Sequence, residues 1–399
     1  MKPLRPARRS FDAPPMAGTA TDEPRQRTLG RRWLPGIVSA FLGALGLFSV
    51  LCLHYPALLT TPELRAVYPM PLVRTAIATG LAAAIVCGGL ALLFDRGRRL
   101  GTLGLALALA AQLAGGAGVE VTEPVPPSKH LGLDWFVLDL LLLVLVFVPI
   151  ERAFARRPEQ PVFRRGWRTD LAHFFASHLL VQVTTLLTLA PALLFFRWAA
   201  HPGLQQAVAA QPVALQALEV LAVADLAGYA AHRAFHAVPF LWRFHAVHHS
   251  SEALDWLAGS RLHLVDALAT RAAVFVPLFA LGFERAALSA YLVWVSFQAT
   301  WIHANLRGRW GPLERVLATP RFHHWHHAAE PDARDRNFAV HLPVIDWLFG
   351  TLHLPAGRWP ERYGIDGSPV PEGWLAQLLW PLRGSRTDAG KAIARSGPP

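Results

Sequence analysis

Histidine is the residue type whose distribution in this sequence points most directly to chemistry. The chain has 18 His among 399 residues, and all but five lie between His232 and His353. Eight of these residues form three groups with helical spacing: His232 and His236; His245, His248 and His249; and His323, His326 and His327. Residues three and four positions apart share one face of an α-helix, so the rings of each group can reach a common metal ion.

Neutral imidazole is a good ligand for iron, zinc, copper or nickel, and its second ring nitrogen can hydrogen-bond to the protein. Eight imidazoles are more than one four- to six-coordinate ion can use, so we expect two ions. The sequence has neither the His-Glu-x-x-His motif of zinc proteases nor the Glu-x-x-His pairs of soluble carboxylate-bridged di-iron proteins. The pattern therefore predicts a two-metal site built almost entirely from His.

Several residues near the three groups are candidates for supporting them. Asp225 precedes His232 by seven residues, two helical turns away on the same face, and its carboxylate could accept a ring N–H and orient the imidazole. His263 is expected to be a ligand, a residue that supports the ligands, or a packing residue. Asp335 and Asn337 are expected either to orient ligands or to cap a loop.

The third group offers two local predictions. Thr319 and Pro320 are typical of an N-cap and a first helical residue, so a helix should begin there. His324 lies about 100° around that helix from its neighbour and is expected to support the ligands or to face the surface. The five His outside the cluster are interpreted as structural: His54, His130, His173, His178 and His201.

The composition indicates the kind of protein that must position these groups. Hydrophobic residues make up 53% of the chain and charged residues only 16%, and the apolar residues occur in long runs. These values exclude a disordered or collagen-like chain and argue against an ordinary soluble enzyme. We predict an all-α, polytopic transmembrane protein in which a cytoplasmic helical cap holds the metal site.

The apolar runs predict six spans followed by a hairpin that either spans or dips into the bilayer. The predicted spans are Trp33–Leu53, Pro71–Phe94, Leu100–Val119, Trp135–Ile150, Leu171–Phe196 and Val213–Ala231. The two arms of the hairpin are Leu264–Phe283 and Ala286–Ile302, separated by Glu284 and Arg285.

The Arg residues indicate the orientation, because Lys and Arg are enriched in cytoplasmic loops. If the amino terminus lies on the cytoplasmic side, the Arg-rich segments 5–32, 96–99 and 152–168 lie there too. Only three Arg and one Lys then remain on the other side. The N-terminus and all the clustered His then lie in the cytoplasm, and we expect the membrane to be the plasma (inner) membrane. The net charge of +11 is explained by topology, so no nucleic-acid partner is expected.

Four segments follow from this organisation: a disordered basic tail (1–32), N-terminal transmembrane helices (33–197), a catalytic domain (213–354) and a cytoplasmic tail (355–399). Within the last segment, Trp374–Leu382 is an apolar patch that could lie in the membrane interface. The only cysteines, Cys52 and Cys87, lie in apolar runs, which excludes a disulfide framework or a thiolate metal site.

The His groups and their surroundings resemble the three histidine boxes of the fatty acid hydroxylase and sterol desaturase superfamily. The matching segments are His232-Arg-Ala-Phe-His236, Phe244-His245-Ala-Val-His248-His249 and Pro320-Arg-Phe-His323-His-Trp-His326-His327. Smaller features also match: Asp225, Leu241-Trp242-Arg243, His303-x-Asn305, Asp335-x-Asn337 and Asp346-Trp-Leu-Phe-Gly350-Thr351. The resemblance covers about residues 220–354. It departs from the family where Arg261-Leu-His263 is followed by Leu264, and at Asn337-Phe338-Ala339.

The resemblance implies a non-haem di-iron centre that uses O₂ to hydroxylate a C–H bond of a lipid, whether fatty acyl, sterol or related. It adds His303, which ends an apolar run on the same side of the membrane, to the eight ligands. It also implies an electron donor, either a reductase with ferredoxin or a cytochrome.

The sequence leaves three alternatives. The first is a desaturase of the same class. The second is a metal-dependent membrane hydrolase that uses bound hydroxide, although no acidic base lies within the boxes. The third is a metal carrier, whose ligands would be expected near the middle of the bilayer and not beyond the ends of the spans.

Overall fold

The computed structural model of the protein describes residues 23–61, 68–93, 98–120, 132–179, 200–308, 310–365 and 370–383. Within these ranges the regular structure is helical, and the only β-pairing consists of two isolated bridges, Ala155 with Leu306 and Ala328 with Tyr363. The prediction of an all-α fold is confirmed.

The described helices are numbered here in chain order. They are α1 (Glu23–His54), α2 (Pro56–Leu59), α3 (Met70–Leu93), α4 (Arg98–Leu113), α5 (Leu133–Phe154), α6 (Trp167–Leu179), α7 (Pro202–Ala209), α8 (Val213–Ala237), α9 (Pro239–His249), α10 (Leu264–Leu281), α11 (Arg285–His303), α12 (Pro320–His326), α13 (Pro343–Leu348) and α14 (Trp374–Arg383). Short 3₁₀ turns lie at Gly116–Gly118, Ala258–Ser260, Gly311–Arg315 and Pro331–Ala333.

The chain divides into two compact units, Met1–Asp134 and Trp135–Pro399. In the first unit, α1, α3 and α4 pack together around a core of Val, Leu, Ile and Ala side chains. A Cβ at Gly104 on α4 would lie 2.1 Å from Oγ of Ser39 on α1. These two helices can approach closely because Gly104 has no side chain. The Ser39 hydroxyl donates to the Ala84 carbonyl at 2.7 Å, which links α1 to α3.

The second unit contains all three His groups. Its helices α8, α10 and α11 share an apolar core that includes Val220, Ala224, Leu278 and Ala287. A second core joins α5 and α6 to the segments after α9 and α11; its buried members are Leu143, Phe147, Phe174, Trp256, Leu257, Ala304 and Leu306. The two cores position the middle of α8, the first half of α11 and the segments that follow α9 and α11.

The turn between α10 and α11 has a simple local cause. Gly282 caps α10 in the left-handed conformation (φ 73°), and Glu284 is the N-cap position from which α11 begins. The predicted break in the hairpin is confirmed at Glu284, whereas Arg285 is already the first residue of α11.

Within the part that the structure describes, six helices are long and apolar enough to cross a membrane: Leu34–His54, Met70–Leu93, Arg98–Gly118, Leu133–Phe154, Val213–Ala237 and Leu264–Leu281. The protein is an integral membrane protein. Helix α11, the second arm of the predicted hairpin, is not among the six. Of the predicted span Leu171–Phe196, only the part up to Leu179 is described.

The two predicted tails are only partly described. Residues 1–22 of the first lie outside the described residues, and α1 begins at Glu23. In the second, the predicted patch Trp374–Leu382 forms α14, which packs against α6 and α9. Residues 384–399 lie outside the described residues.

Candidate metal centre

Four helices of the second unit bring nine His side chains together. The last turns of α8 carry His232 and His236, and α11 ends on His303. The short helices α9 and α12 each begin with a proline at the first helical position, Pro239 and Pro320. These two helices carry the remaining six: His245, His248, His249, His323, His326 and, at the C-cap of α12, His327.

The start of α12 lies where the sequence predicts it. The Thr319 side chain accepts the backbone N–H of Phe322 at 3.3 Å, and Pro320 is the first helical residue. The cap fixes the third box in helical conformation directly beside the other ligands.

The nine rings form two separate clusters, each able to hold one metal ion. Site A consists of His232, His236, His245, His249 and His326, and site B of His248, His303, His323 and His327. Within each site the ligand nitrogens all lie within 4.8 Å of one another. The second and third boxes each contribute to both sites, so the two sites share the helices α9 and α12.

The ring nitrogens that meet inside the sites are Nε2 atoms. In site A, Nε2 of His245 lies 3.0 Å from that of His232 and 3.2 Å from that of His249. In site B, Nε2 of His303 lies 3.3 Å from that of His248 and 3.0 Å from that of His323.

Two further Nε2 atoms of site A, those of His236 and His326, are buried and have no hydrogen-bond partner. A buried polar atom without a partner is costly, and inward-facing lone pairs of this kind are what a divalent ion would satisfy. The chemistry of the donor set therefore fits two metal ions bound through Nε2.

The opposite nitrogen, Nδ1, is anchored to the protein in six of the nine rings. Three of these partners lie on one short segment, residues 335–338, which we name the ligand turn. Nδ1 of His236 lies 3.1 Å from the Asp335 carboxylate, Nδ1 of His326 lies 2.8 Å from the Arg336 carbonyl, and Nδ1 of His232 lies 2.7 Å from the Phe338 carbonyl. An acceptor at Nδ1 keeps the proton there and leaves Nε2 free as the ligand atom.

The other three anchors come from different parts of the unit. Nδ1 of His245 lies 2.8 Å from Asp266, and Nδ1 of His248 lies 3.1 Å from the Arg261 carbonyl. Nδ1 of His303 lies 2.6 Å from the Ala299 carbonyl, one helical turn earlier on α11.

The ligand turn has an unusual backbone. Asp335 and Asn337 both have left-handed conformations, with φ of 53° and 59°, a region that Asp and Asn tolerate better than most residues. The Asn337 amide donates to the carbonyls of Phe322 and His353, and its oxygen accepts the His353 N–H. The Asn337 side chain thus ties the turn to α12 and to the segment that follows α13.

Burial keeps the ligand rings neutral. It lowers the pKa of His248, His249, His323, His326 and His327 well below the ordinary value for His, and neighbouring imidazoles lower it further. Only a neutral ring has a lone pair for a metal, so the polypeptide holds these residues in their ligand form near neutral pH.

The structure corrects the role expected for Asp225. Its carboxylate does not orient a ring but accepts three backbone N–H groups, from Val340 (2.9 Å), His341 (3.1 Å) and Leu342 (2.6 Å). These groups lack other partners in the loop, and the carboxylate on α8 lies within their reach. Asp225 therefore holds the backbone that follows the ligand turn.

His263 and His324 are buried near the clusters but belong to neither. His263 caps α10 by accepting the Val265 N–H, and its other nitrogen lies 3.0 Å from the Leu378 carbonyl. His324 is 1% exposed, so a surface position is excluded; its nitrogens lie 2.8 Å from the Tyr363 hydroxyl and 3.2 Å from the His303 carbonyl.

Sequence reasoning missed Asp266, the acidic partner of His245. The signal was available, because Asp266 is an acidic residue in the first turn of the mostly apolar α-helix that comes next in the chain after α9. Asp346, which the sequence offered only as part of a matching segment, accepts the N–H groups of Phe338 and Ala339, each at 2.8 Å.

Site B adjoins a buried network of two Arg and two Asp side chains. Arg164 donates to Asp170 at 2.6 Å and to Asp255 at 2.8 Å, and Arg261 donates to Asp170 at 2.5 Å. Because charges removed from water need paired partners, this network fixes Arg261, whose carbonyl accepts from His248.

Comparison with known proteins identifies the region that holds both sites. The fatty acid hydroxylase family model matches residues 217–351. Ornithine lipid hydroxylase OlsE of Rhizobium tropici is 37% identical over 186 residues, which cover 45% of this chain and 55% of that protein. Human alkylglycerol monooxygenase is 32% identical over 128 residues, 32% of this chain and 28% of that protein.

A more distant similarity links the chain to the very-long-chain aldehyde decarbonylase GL1-1 of rice, 28% identical over 174 residues, 41% of this chain and 28% of that protein. The matched region thus spans about half the length of the ornithine lipid hydroxylase and about a third or less of the other relatives. No solved structure is significantly similar to the chain.

Proposed function

We propose that this integral membrane protein, whose residues 217–351 match the fatty acid hydroxylase family model, is a di-iron oxidoreductase that hydroxylates a lipid with O₂. The observation that carries the proposal is the pair of all-His clusters, with Nε2 atoms directed inward and the Nδ1 atoms of six of the nine rings held by outer acceptors. Similarity to an ornithine lipid hydroxylase and to alkylglycerol monooxygenases supports a membrane lipid as the substrate.

Site A would hold one iron through its five His and site B the other through its four. Iron bound there would supply the O₂ activation and C–H oxidation that no side chain can perform alone. The contribution of the chain is to keep the rings neutral and correctly oriented, and to exclude water by burying both clusters.

The location of the sites suits a lipid substrate. His232 and His236 lie within the last two turns of α8, a helix long and apolar enough to span the membrane. An acyl chain held in the bilayer could therefore reach the clusters without leaving an apolar environment.

We also propose that the N-terminus and both metal sites lie on the cytoplasmic side of the plasma (inner) membrane. On that side a reductase with ferredoxin or a cytochrome would supply electrons. The distribution of Arg between alternate loops supports this orientation. Reporter fusions after residues 97 and 158 test it, since both positions should report a cytoplasmic location.

The central experiment compares lipid extracts from cells that express the wild type, His248→Ala or the matched control His201→Asn. The control changes a His that is distant from both clusters in sequence, and Asn can still cap the start of α7. Under ¹⁸O₂, the wild type and the control should produce a lipid that has gained one ¹⁸O atom, whereas His248→Ala should not. A product formed without O₂ would exclude an oxygenase, and loss of two hydrogens would identify a desaturase.

The two-ion assignment has its own test, which does not depend on turnover. His236→Ala removes a ligand of site A alone, and His323→Ala removes one of site B alone. Each variant should retain roughly half the iron of the wild-type protein, measured by elemental analysis of the purified protein. If either substitution removed all the iron, the sites would not be independent.

A further inference from the structure

The segment Asp346-Trp347-Leu348-Phe349-Gly350-Thr351 divides into residues that face inward and residues that face outward. Asp346 and Thr351 are buried, and the Thr351 hydroxyl donates to Asp346 at 2.7 Å. The three apolar residues between them are exposed: Trp347 at 65%, Leu348 at 66% and Phe349 at 51%. We name these three residues the α13 wedge.

The wedge is part of a larger apolar surface. Val344 and Leu352, on either side of it in sequence, are also exposed. The 3₁₀ turn Gly311–Arg315 packs against α13, and Leu313 and, just beyond the turn, Val316 are exposed as well. A contiguous apolar surface of this kind on a folded protein marks an interaction site.

The position of the wedge indicates what covers it. The Phe349 ring stacks on Tyr229 at 5.1 Å between centroids, and the Tyr229 hydroxyl lies 2.9 Å from that of Thr351. Tyr229 belongs to α8 and lies eight residues before its end, which corresponds to about 12 Å along the helix axis. The wedge therefore lies beside the final turns of a helix long enough to span the membrane.

Basic side chains border the same surface. The Arg336 guanidinium donates to the Gly350 carbonyl at 2.9 Å, and that of Arg233 donates to the Tyr229 hydroxyl at 3.3 Å. Arg315 is exposed at the end of the adjoining 3₁₀ turn. Aromatic residues beside Arg are typical of the interface between lipid acyl chains and phosphate groups.

We propose that the α13 wedge inserts into the lipid interface of the membrane and forms an attachment separate from the transmembrane helices. Trp347, Leu348 and Phe349 enter the boundary between headgroups and acyl chains, to a depth of about 5–10 Å, and the Arg side chains meet lipid phosphates. The wedge lies beside the final turns of α8 and is bordered by Arg side chains. Both features favour contact with the bilayer over contact with a second copy of the chain or with a soluble protein.

The insertion has a structural consequence for site A. Asp346, at the start of the same segment, accepts the N–H groups of Phe338 and Ala339, and the Phe338 carbonyl is the partner of Nδ1 of His232. Two successive hydrogen bonds thus connect the membrane-inserted segment to a ligand ring.

The test places a fluorophore whose emission reports polarity at position 348. The labelled variant is Leu348→Cys in a Cys52→Ala, Cys87→Ala background, and its control is Glu361→Cys, an exposed polar position in the same unit. Replacement of Leu348 removes little core packing because its side chain is mostly exposed. Both proteins are incorporated into bilayers of phosphatidylcholine and phosphatidylglycerol.

The label at 348 should show blue-shifted emission, loss of quenching by aqueous iodide, and stronger quenching by a lipid spin-labelled near the headgroup than by one labelled deep in the acyl chain. The label at 361 should be quenched by iodide. Equal iodide quenching at both positions would overturn the proposal. Protection from iodide without quenching by any spin-labelled lipid would overturn it as well, because a protein surface would then cover the wedge.

Discussion

Nδ1 of His245 lies 2.8 Å from a carboxylate oxygen of Asp266, and both side chains are buried. His245 is a ligand of site A on α9, whereas Asp266 lies in the first turn of α10. The carboxylate fixes the tautomer and rotation of the ring and makes the other nitrogen a stronger ligand. This contact connects the metal site to a helix that is long and apolar enough to span the membrane.

Asp266→Asn should weaken metal binding at site A by about 10–100-fold, because a neutral amide cannot polarise the ring as a carboxylate does. The measurement is an iron titration of the purified protein, with Asp332→Asn, an exposed aspartate of the same unit, as the control. Wild-type affinity in Asp266→Asn would show that the carboxylate does not tune the ligand.

Asp225→Asn should lower the free energy of unfolding by about 1–3 kcal/mol, because the amide presents N–H groups to backbone donors that now bond to a carboxylate. Thermal unfolding in detergent measures the change. Glu219→Gln, the same chemical change at a less buried position of α8, should leave the unfolding temperature nearly unchanged. Similar effects of the two substitutions would contradict a specific role for the Asp225 contacts.

Asn337→Ala and Asn337→Gly separate the two functions of that residue. Both lose the three hydrogen bonds of the side chain, but only Ala must be forced into a left-handed conformation. Both variants should be less stable than the wild type, and Asn337→Ala should be the less stable of the two by about 1 kcal/mol. Thermal unfolding measures the order, and equal stability would show that the backbone conformation carries no strain.

His341 should make the protein sensitive to acid. It is buried, the Trp294 indole N–H donates to its Nδ1 at 3.2 Å, and burial lowers its pKa from 6.5 to about 4. Between these two values the unfolded chain binds a proton that the folded chain does not, so stability falls as the pH falls below 6.5. The maximum loss is about 3 kcal/mol.

His341→Gln removes this titration while retaining a side-chain acceptor for Trp294. The unfolding temperature of the iron-depleted variant should therefore decline less than that of the iron-depleted wild type between pH 7 and pH 5. The ligand His residues titrate in both proteins, so the difference between the two declines isolates His341. Parallel declines would contradict the assignment.

The sequence by itself determined the helical class, the membrane character and the eight box His residues, because each depends on local information. A long apolar run predicts a span whatever surrounds it, and i, i+3, i+4 spacing places rings on one helical face in any fold. The same local rules located the start of α12 at Thr319 and Pro320.

Only the tertiary structure decided how the rings are shared between two ions. His245 and His249 go to site A while His248, between them, goes to site B, and this division depends on how α9 packs against α8 and α12. It also decided that Asp225 binds backbone more than 100 residues away and that Asp266 holds a ring on another helix. Contacts between segments distant in sequence leave no periodic pattern, so spacing rules cannot predict them.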